Sequence, residues 1–423
     1  MPLPEVVEIV PLAQPVWAEV TVPGSKSLTN RALVLAALAN GQTSLQGALW
    51  SEDTEVMVRC LQQLGFAVSV TADPREPCNR TFGVQGLGGL IPRSGPPEQP
   101  LELFVANAGT TARFLAAMVC LGNGVYRLCG TPRMHARPQA ALFGALRQLG
   151  YRVDSPNDRL PAIVHGGGRR PGKCRVSIAE SSQFASALLL AAKTGGWEVE
   201  VVGENAEESP YVAMTIQFAQ RFTTAQGNVL IEPDASSGSY FWAAGWLAPA
   251  SSHVSVAAWP ASGWQVDEAF PDYLPLPPEL SRQKHLGDSI MTAAMLAPFA
   301  PAPTRFTDLG RLRLQECERV SALRTELTKC GAQVREDGET LEIFPGPLHG
   351  AEIETYDDHR LAMCFAILGL KVPGIKIKNP ACVKKTFPSF FQKLAAAPPQ
   401  GLGAEVRDAW TDRPLGLAEL WGD

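Results

Sequence analysis

The sequence predicts an α/β fold of two domains, built from one structural unit that is repeated six times. With 423 residues the chain is too long for one hydrophobic core, so two domains are expected. Six segments open with small polar residues and continue directly into an apolar stretch rich in Ala, Leu and Met. A second pattern, in which a helix end, a glycine and a strand follow one another, recurs along the chain. These two patterns together indicate the repeat.

The six apolar segments are predicted to be buried helices. They begin at Ser25, Ala108, Ser181, Ala235, Asp288 and Asp357. Ser, Asp and Gly at the openings are typical of helix N-termini, and the residues that follow are good helix formers. Because the stretches are apolar on nearly every side, the helices should be buried rather than amphipathic.

Helix ends followed by strands supply the rest of the unit. The pattern occurs at Leu61–Val68, Leu146–Val153 and Leu327–Val334, where Gly65, Gly150 and Gly331 would provide the positive φ that ends a helix. The pieces Glu198–Val202 and Leu341–Phe344 have the composition of strands. The unit therefore combines two helices with several strands, which predicts the α/β class.

Composition and charge argue against several classes of protein. A net charge of −5 and a pI near 5.8 disfavour a nucleic-acid binder, which would be basic overall. The N-terminal segment has acids where a signal peptide has cations, and no apolar run approaches the ~18 residues of a membrane span. We therefore expect a cytoplasmic protein with no membrane partner. Cysteines without CxxC spacing indicate free thiols, and histidines without ligand spacing indicate no structural metal.

Positive side chains gather at the predicted helix openings. Four lie within openings and four close by in sequence, namely Lys26, Arg31, Arg113 and Arg360, then Arg133, Arg137, Arg319 and Lys385. Cations at a helix N-terminus oppose the helix dipole, so an anionic ligand is expected to offset their cost. The alternative interpretation is that polar openings only cap buried helices. The recurrence of the charges favours a polyanionic small molecule bound between two lobes of three units each.

Two acids accompany these cations. Asp288 opens the fifth helix, and Glu316 lies three residues before Arg319, one helical turn away. A carboxylate held among cations stays ionised and suits a general base, whereas one near another carboxylate becomes an acid. The pattern thus predicts acid–base chemistry on an anionic substrate.

Eight motifs identify a resemblance to a known family. In chain order they are PGSKSLTNRALVLAALANG, NAGTTARFLAA, GTPRMHARP, SSQFASALLLAA, EPDASSGSYF, ECERVSALRTEL, YDDHRLAMCFA and CVKKTFPSFF. They resemble the signatures of the 5-enolpyruvylshikimate-3-phosphate (EPSP) synthase family, over residues 8–395. The resemblance implies two lobes that close on their substrates, each made of three βαβαββ units with buried parallel helices and sheets outside. The lobes would be residues 24–234 and residues 1–23 plus 235–423.

The resemblance also implies an activity and its residues. The enolpyruvyl group of phosphoenolpyruvate would move to a hydroxyl of 3-phosphoshikimate with release of phosphate, without cofactor or metal, on a monomer. By position, the phosphoenolpyruvate-binding residues are Lys26, Asn107, Gly109, Arg133, Gln183, Arg319, Arg360 and Lys385. The acceptor-binding residues are Lys26, Ser27, Arg31, Ser181, Ser182, Tyr211 and Asp288. The catalytic residues are Asp288 as base for the acceptor hydroxyl, Glu316 as proton donor to the methylene carbon, and Lys26.

Three positions on the acceptor side depart from the family pattern. Gln315 stands where the family has Lys, Arg311 where it has Asn, and Glu208 where it has Ser. A carboxylate at 208 repels a phosphate unless it turns away or pairs with Arg311. In addition, PLPPELSRQKH replaces an expected helix end, glycine and strand, which shortens the unit between Asp234 and Asp288. Three functions stay open: transfer to 3-phosphoshikimate, transfer to a different cyclohexene hydroxy acid, and anion binding without catalysis.

Overall fold

The computed structural model of the protein describes residues 3–203, 209–224 and 227–422, with the backbone alone at 223 and 224. Glu208, one of the three departures, lies outside the described residues. The fold is mixed α/β, as predicted. None of the described helices combines the length and the apolar character that a membrane crossing demands.

The predicted apolar segments form helices, and most of their residues are buried. In chain order the helices are α1 (Lys26–Leu38), α2 (Glu52–Gln63), α3 (Gly109–Met118), α4 (Pro132–Ala136), α5 (Ala140–Gln148), α6 (Gln183–Gly195), α7 (Pro210–Thr224), α8 (Ala235–Leu247), α9 (Ile290–Leu296), α10 (Arg319–Lys329), α11 (His359–Gly369) and α12 (Phe390–Ala395). Short 3-10 helices cover Val119–Leu121, Val266–Tyr273, Ala297–Phe299, Gly310–Leu314, Pro380–Lys385 and Leu417–Glu419. The six segments correspond to α1, α3, α6, α8, α9 and α11.

Strands alternate with these helices along the chain. They are β1 (Val6–Ile9), β2 (Trp17–Val20), β3 (Asn40–Leu49), β4 (Val68–Ala72), β5 (Asn79–Leu87), β6 (Leu101–Phe104), β7 (Val125–Cys129), β8 (Arg152–Asp154), β9 (Ala162–His165), β10 (Gly172–Ser177), β11 (Trp197–Val202), β12 (Asn228–Leu230), β13 (His253–Val256), β14 (Glu279–Ser281), β15 (Thr304–Thr307), β16 (Gln333–Asp337), β17 (Thr340–Phe344), β18 (Glu352–Ile353), β19 (Ile375–Lys378) and β20 (Val406–Asp408). Strand β14 lies in the segment that was expected to lack a strand. It forms there because its backbone pairs in parallel with β15.

The strands of the described residues form six small sheets. Four of them have the orders β12-β3-β5-β4, β6-β7-β9-β8, β14-β15-β17-β16 and β18-β19-β1-β20, and the other two are the pairs β10-β11 and β13-β2. Each sheet contains one parallel pair. In each four-stranded sheet the next two pairings are antiparallel. The sheets are therefore variations on one topology.

The chain folds into two compact units. The terminal unit consists of Met1–Pro23, Glu76–Cys78 and Pro233–Asp423, and the inserted unit of Gly24–Arg75 and Asn79–Glu232. The short piece at 76–78 belongs to the terminal unit, where Lys393 Nζ lies 2.8 Å from the Glu76 carboxylate. The lobe boundaries taken from the resemblance differ from these units at 76–78 and at 233–234.

Three of the six apolar helices pack together in each unit. Helices α1, α3 and α6 contact one another in the inserted unit, and α8, α9 and α11 do so in the terminal unit. Helix–strand turns follow the predicted glycine chemistry, since Gly65, Gly150 and Gly331 have φ values of 94°, 82° and 90°. The helix openings that carry the predicted site residues are thereby fixed on rigid cores.

Candidate active site

Asp288, the predicted base, lies within an arginine cluster of the terminal unit. Its Oδ1 accepts a hydrogen bond from Arg282 Nη2 at 2.8 Å. Its Oδ2 lies 3.2 Å from Arg360 Nη2 and 3.9 Å from Arg319 Nη1. Burial raises the pKa of Asp288, but the charges of Arg360, Arg282 and Arg319 outweigh it and hold that pKa well below its usual range. The carboxylate is therefore ionised near neutral pH.

Arg319 begins α10 and is the most enclosed member of this cluster, with 1% of its side chain exposed. It forms a fork with the fully buried Asp358, from Nε to Oδ2 at 2.6 Å and from Nη2 to Oδ1 at 3.1 Å. Its Nη2 also lies 2.9 Å from Glu316 Oε2. Burial lowers the pKa of Arg319, but Asp358, Glu316 and Asp288 more than compensate, so the pKa stays above its ordinary value. Its positive charge is thus permanent.

Arg360 and Lys385 come from the region of α11. Arg360 Nη1 donates to Ser236 Oγ at the opening of α8, at 2.6 Å. Lys385 is buried at the end of the 3-10 helix Pro380–Lys385, which packs against α11. The terminal unit therefore brings together Asp288, Glu316, Arg319 and Arg360, and it places Lys385 on a neighbouring element.

The helix openings differ in how their N-termini are capped. Asp358 caps α11 by accepting from Arg360 N at 2.9 Å, and Asp234 caps α8 by accepting from Ser237 N at 2.7 Å. By contrast, the side chains at the N-cap positions of α1, α6 and α9, which are Ser25, Ser182 and Ser289, make no capping hydrogen bond with the described residues. At α6 the preceding Ser181 takes this role, because its Oγ accepts from Gln183 N at 3.3 Å, so α1 and α9 are the two of these three openings without such a cap among the described residues. Helix N-termini without a side-chain cap retain N–H groups that suit an anion.

Arg31 is buried in the inserted unit among hydroxyl and carbonyl oxygens. Its Nε donates to Thr215 Oγ1 at 2.8 Å, its Nη2 to Ser186 Oγ at 3.0 Å and its Nη1 to Ser27 O at 3.0 Å. Burial lowers the pKa of Arg31 to about 10, with Tyr211 acting in the opposite direction. Among the described residues no carboxylate forms an ion pair with this buried positive charge. The predicted acceptor residues Ser27, Arg31 and Tyr211 are hence neighbours.

The opening of α3 is a second basic region of the inserted unit. Arg113 Nη1 donates to Gln183 Oε1 at 3.0 Å, and Arg137 Nη1 donates to Asn107 O at 3.3 Å. Gly109 lies between them, and a Cβ atom there would lie 2.5 Å from Arg113 Nη1 and 2.8 Å from Arg137 Nη2, so both guanidinium groups would have to shift. The glycine allows two guanidinium groups to approach the helix N-terminus, which favours anion binding.

The remaining predicted residues of the inserted unit lie at or near helix N-termini. Lys26 begins α1, and its Nζ pairs with Asp53 Oδ2 at 3.2 Å. Ser181 Oγ accepts from Gln183 N at 3.3 Å at the opening of α6. Arg133, on α4, is exposed to solvent. That Lys26, Ser181 and Arg133 bind substrate stays a prediction.

Three charged groups that touch the predicted site residues were not predicted from the sequence. Asp53 pairs with Lys26, Asp358 with Arg319, and Arg282 with Asp288. Asp358 was detectable, because it follows Asp357 at the opening of the sixth segment and Asp is a common N-cap. Arg282 lies in the Pro-rich replacement segment, where no pattern in the sequence predicts contact with Asp288. Within the part of the chain that the structure describes, no group of His, Cys, Asp and Glu is arranged to hold a metal ion.

Comparisons with known proteins agree on one family. The model of the family described as "EPSP synthase (3-phosphoshikimate 1-carboxyvinyltransferase)" matches residues 11–394. The 3-phosphoshikimate 1-carboxyvinyltransferase of Nostoc punctiforme is 37% identical, with 92% of this chain and 98% of the relative covered. The enzyme of the same name from Opitutus terrae is 38% identical, with 93% and 98% covered.

Solved structures share the fold over nearly the whole chain. The EPSP synthase from Acinetobacter baumannii has a TM-score of 0.71 at 20% identity, covering 95% of this chain and 99% of that one. The enolpyruvyl transferase NikO from Streptomyces tendae has a TM-score of 0.67 at 15% identity, covering 96% and 99%. At these identities the likeness establishes the fold.

Proposed function

Because the chain belongs to the EPSP synthase family, we propose that it transfers the enolpyruvyl group of phosphoenolpyruvate to a hydroxyl of 3-phosphoshikimate and releases inorganic phosphate. The observation that carries this proposal is the connected cluster of Asp288, Glu316, Arg319 and Arg360. These residues are spread over α9, α10 and α11 and the segments before them. A base, a second carboxylate and two arginines in direct contact match the needs of an anionic enol phosphate.

The arginines are proposed to bind the carboxylate of phosphoenolpyruvate. A guanidinium presents parallel N–H donors that match a carboxylate, whereas a lysine ammonium suits a phosphate as a point charge. Arg319 and Arg360 therefore take the carboxylate, and Lys26 and Lys385 take the phosphate. Gln183, Asn107, Gly109 and Arg133 complete the proposed donor set, with the N-terminus of α3 supplying backbone N–H groups.

The acceptor is proposed to bind through the residues around Arg31. The buried Arg31 guanidinium has no carboxylate partner among the described residues, which favours an anionic ligand for its charge. Ser27, Ser181, Ser182 and Tyr211 add hydroxyl donors for the phosphate and carboxylate of 3-phosphoshikimate. Lys26 contacts both substrates in this assignment.

The chemistry is proposed to proceed by addition and elimination. Asp288 takes the proton of the acceptor hydroxyl while the oxygen of that hydroxyl bonds to C2 of phosphoenolpyruvate. Glu316 gives a proton to the methylene carbon, which yields a tetrahedral intermediate. The bond between C2 and the phosphate oxygen then breaks, phosphate departs, and the methyl carbon returns a proton to the Glu316 carboxylate.

The architecture supports this assignment. We infer that the six sheets, each with one parallel pair, are the six repeats, three in each unit. The two units correspond in this proposal to the two lobes of the family, and the protein acts as a monomer. Light scattering of the purified chain checks the last point against a mass of 45.4 kDa.

Phosphate release with a panel of acceptors tests the function. Enzyme and phosphoenolpyruvate are combined with 3-phosphoshikimate, shikimate, or other hydroxylated cyclohexene acids, and inorganic phosphate is measured. We expect release only with 3-phosphoshikimate. Release only with another acid would assign the chain to that acceptor instead. No release with any acceptor, together with tight binding of phosphoenolpyruvate, would identify an anion-binding protein.

A base variant links the turnover to the cluster. Asp288→Asn is expected to lower kcat by about a hundredfold or more, because proton transfer by a positioned base contributes about 10²–10⁴. Asp272→Asn is the matched control, since Asp272 is exposed in the same unit. Equal activity of the two variants would exclude Asp288 as the base.

A further inference from the structure

Arg282 is a buried cation that the proposed reaction does not use. Only 8% of its surface is exposed, and its Nη2 donates to Asp288 Oδ1 at 2.8 Å. Its Nε is buried and has no hydrogen-bond partner among the described residues. Asp288 is also the only described acid with which it forms an ion pair. Its charge is thus directed at one carboxylate.

A rigid turn holds Arg282 in place. Its backbone N–H donates to Thr307 O at 3.1 Å, which extends the pairing of β14 with β15. The next residues fold back, with His285 N donating to Ser281 O at 3.0 Å and Ser281 N donating to His285 Nδ1 at 3.0 Å. The position of Arg282 therefore depends on backbone geometry, not on the ion pair alone.

Asp288 faces charges from every side. Arg282 comes from the turn after β14, Arg319 from the start of α10 and Arg360 from the start of α11. Asp267, in the 3-10 helix Val266–Tyr273, is the acid near it and accepts from Ser289 N at 3.0 Å. The three arginines lie at different oxygens of the Asp288 carboxylate, since Arg282 contacts Oδ1 and the other two lie near Oδ2.

We propose that Arg282 is a positioning residue that holds Asp288 while Arg319 and Arg360 turn to the carboxylate of the donor substrate. This inference rests on the proposed function, in which those two arginines bind phosphoenolpyruvate. Both arginines also contact Asp288, so the substrate carboxylate and Asp288 compete for them. Arg282 weakens that competition, because it gives Asp288 a separate partner on its other oxygen. The base then stays in place for the acceptor hydroxyl.

Donor binding in four proteins tests this competition without requiring turnover. Calorimetric titration with phosphoenolpyruvate is carried out on the native chain, Arg282→Gln, Asp288→Asn and the double variant. Without Arg282, Asp288 relies on Arg319 and Arg360 alone, so the Kd of Arg282→Gln should rise about fivefold, within the range of coupling for residues in contact. In the Asp288→Asn background the same replacement should change Kd by less than about twofold.

Two further variants separate this role from a simple change of charge or fold. Arg282→Lys keeps the charge and should restore most of the affinity. Lys284→Gln removes an exposed cation from the same turn and should leave Kd unchanged. Equal weakening by Arg282→Gln with and without Asp288 would overturn the proposal, because the effect would then be that of the overall field. No weakening by Arg282→Gln would overturn it as well.

Turnover supplies a second readout that distinguishes this inference from the proposed function. Removing Arg282 removes a cation that favours the ionised form of Asp288, so the acid limb of kcat should move to higher pH. Arg282→Lys should restore the limb, and Lys284→Gln should not move it. If the native chain releases no phosphate with 3-phosphoshikimate, the proposed function fails, and the binding cycle still decides the role of Arg282. An unmoved limb in an active Arg282→Gln enzyme argues against the positioning role.

Discussion

Replacing Asp358 by asparagine tests the most deeply buried contact of the cluster. Asp358 is fully buried, forks with Arg319 and caps α11 through Arg360 N. Asparagine keeps the shape and the capping oxygen but removes the charge. Breaking a buried ion pair by neutralising one partner costs about 3–5 kcal/mol. Glu316 remains 2.9 Å from Arg319, so we expect the lower end, about 3 kcal/mol.

Urea unfolding followed by circular dichroism measures this loss. For a slope of about 3 kcal/mol per molar, a loss of about 3 kcal/mol lowers the midpoint by about 1 M. Asp357→Asn is the control, because Asp357 is exposed and its φ of 54° is one that asparagine tolerates. The control should stay within about 0.5 kcal/mol of the native chain. A loss below about 1 kcal/mol for Asp358→Asn, or equal losses for both variants, would refute the reasoning.

Three further outcomes follow from the contacts described. Gly109→Ala should raise the KM for phosphoenolpyruvate about tenfold, since the new Cβ would lie 2.5 Å from Arg113 Nη1. Gly144→Ala, whose new Cβ would have no atom within 4 Å, should leave KM unchanged, and equal KM values for the two variants would contradict the steric argument. Gln315→Lys should weaken the binding of phosphoenolpyruvate, because Gln315 accepts a hydrogen bond from Arg319 and a lysine at 315 would repel the Arg319 guanidinium. A lower Kd for phosphoenolpyruvate by calorimetry would count against this. Burial raises the pKa of most of the free cysteine thiols, so Ellman's reagent at pH 8 should label the native chain slowly and the unfolded chain fast. Rapid labelling of the native chain would contradict the burial of these thiols.

The elements that the sequence predicted well are those with a local cause. The six apolar segments, the first beginning at Ser25 and the last at Asp357, form helices because their residues favour helix, and they are buried because they are apolar on nearly every side. Gly65, Gly150 and Gly331 end helices because each adopts a positive φ that other residues avoid. Such causes act within a few residues of the chain.

Capping and ion pairing were harder to predict, because they depend on orientation. Ser25 and Ser182 have the residue type of an N-cap, yet their side chains do not cap with described residues, whereas Asp234 and Asp358 do. The strand at Glu279–Ser281 was missed because its pairing partner lies more than twenty residues later. A residue type alone does not fix where its side chain points.

By itself the sequence determined the α/β class, the buried helices, their glycine ends and the motifs of the family. Only the tertiary structure decided which charges meet: Arg282 with Asp288, Asp358 with Arg319, and Asp53 with Lys26. The physical reason is the separation along the chain over which each interaction acts. Helix formation and chain turns depend on neighbours in sequence, whereas an ion pair depends on where separate elements bring two side chains within a few ångströms.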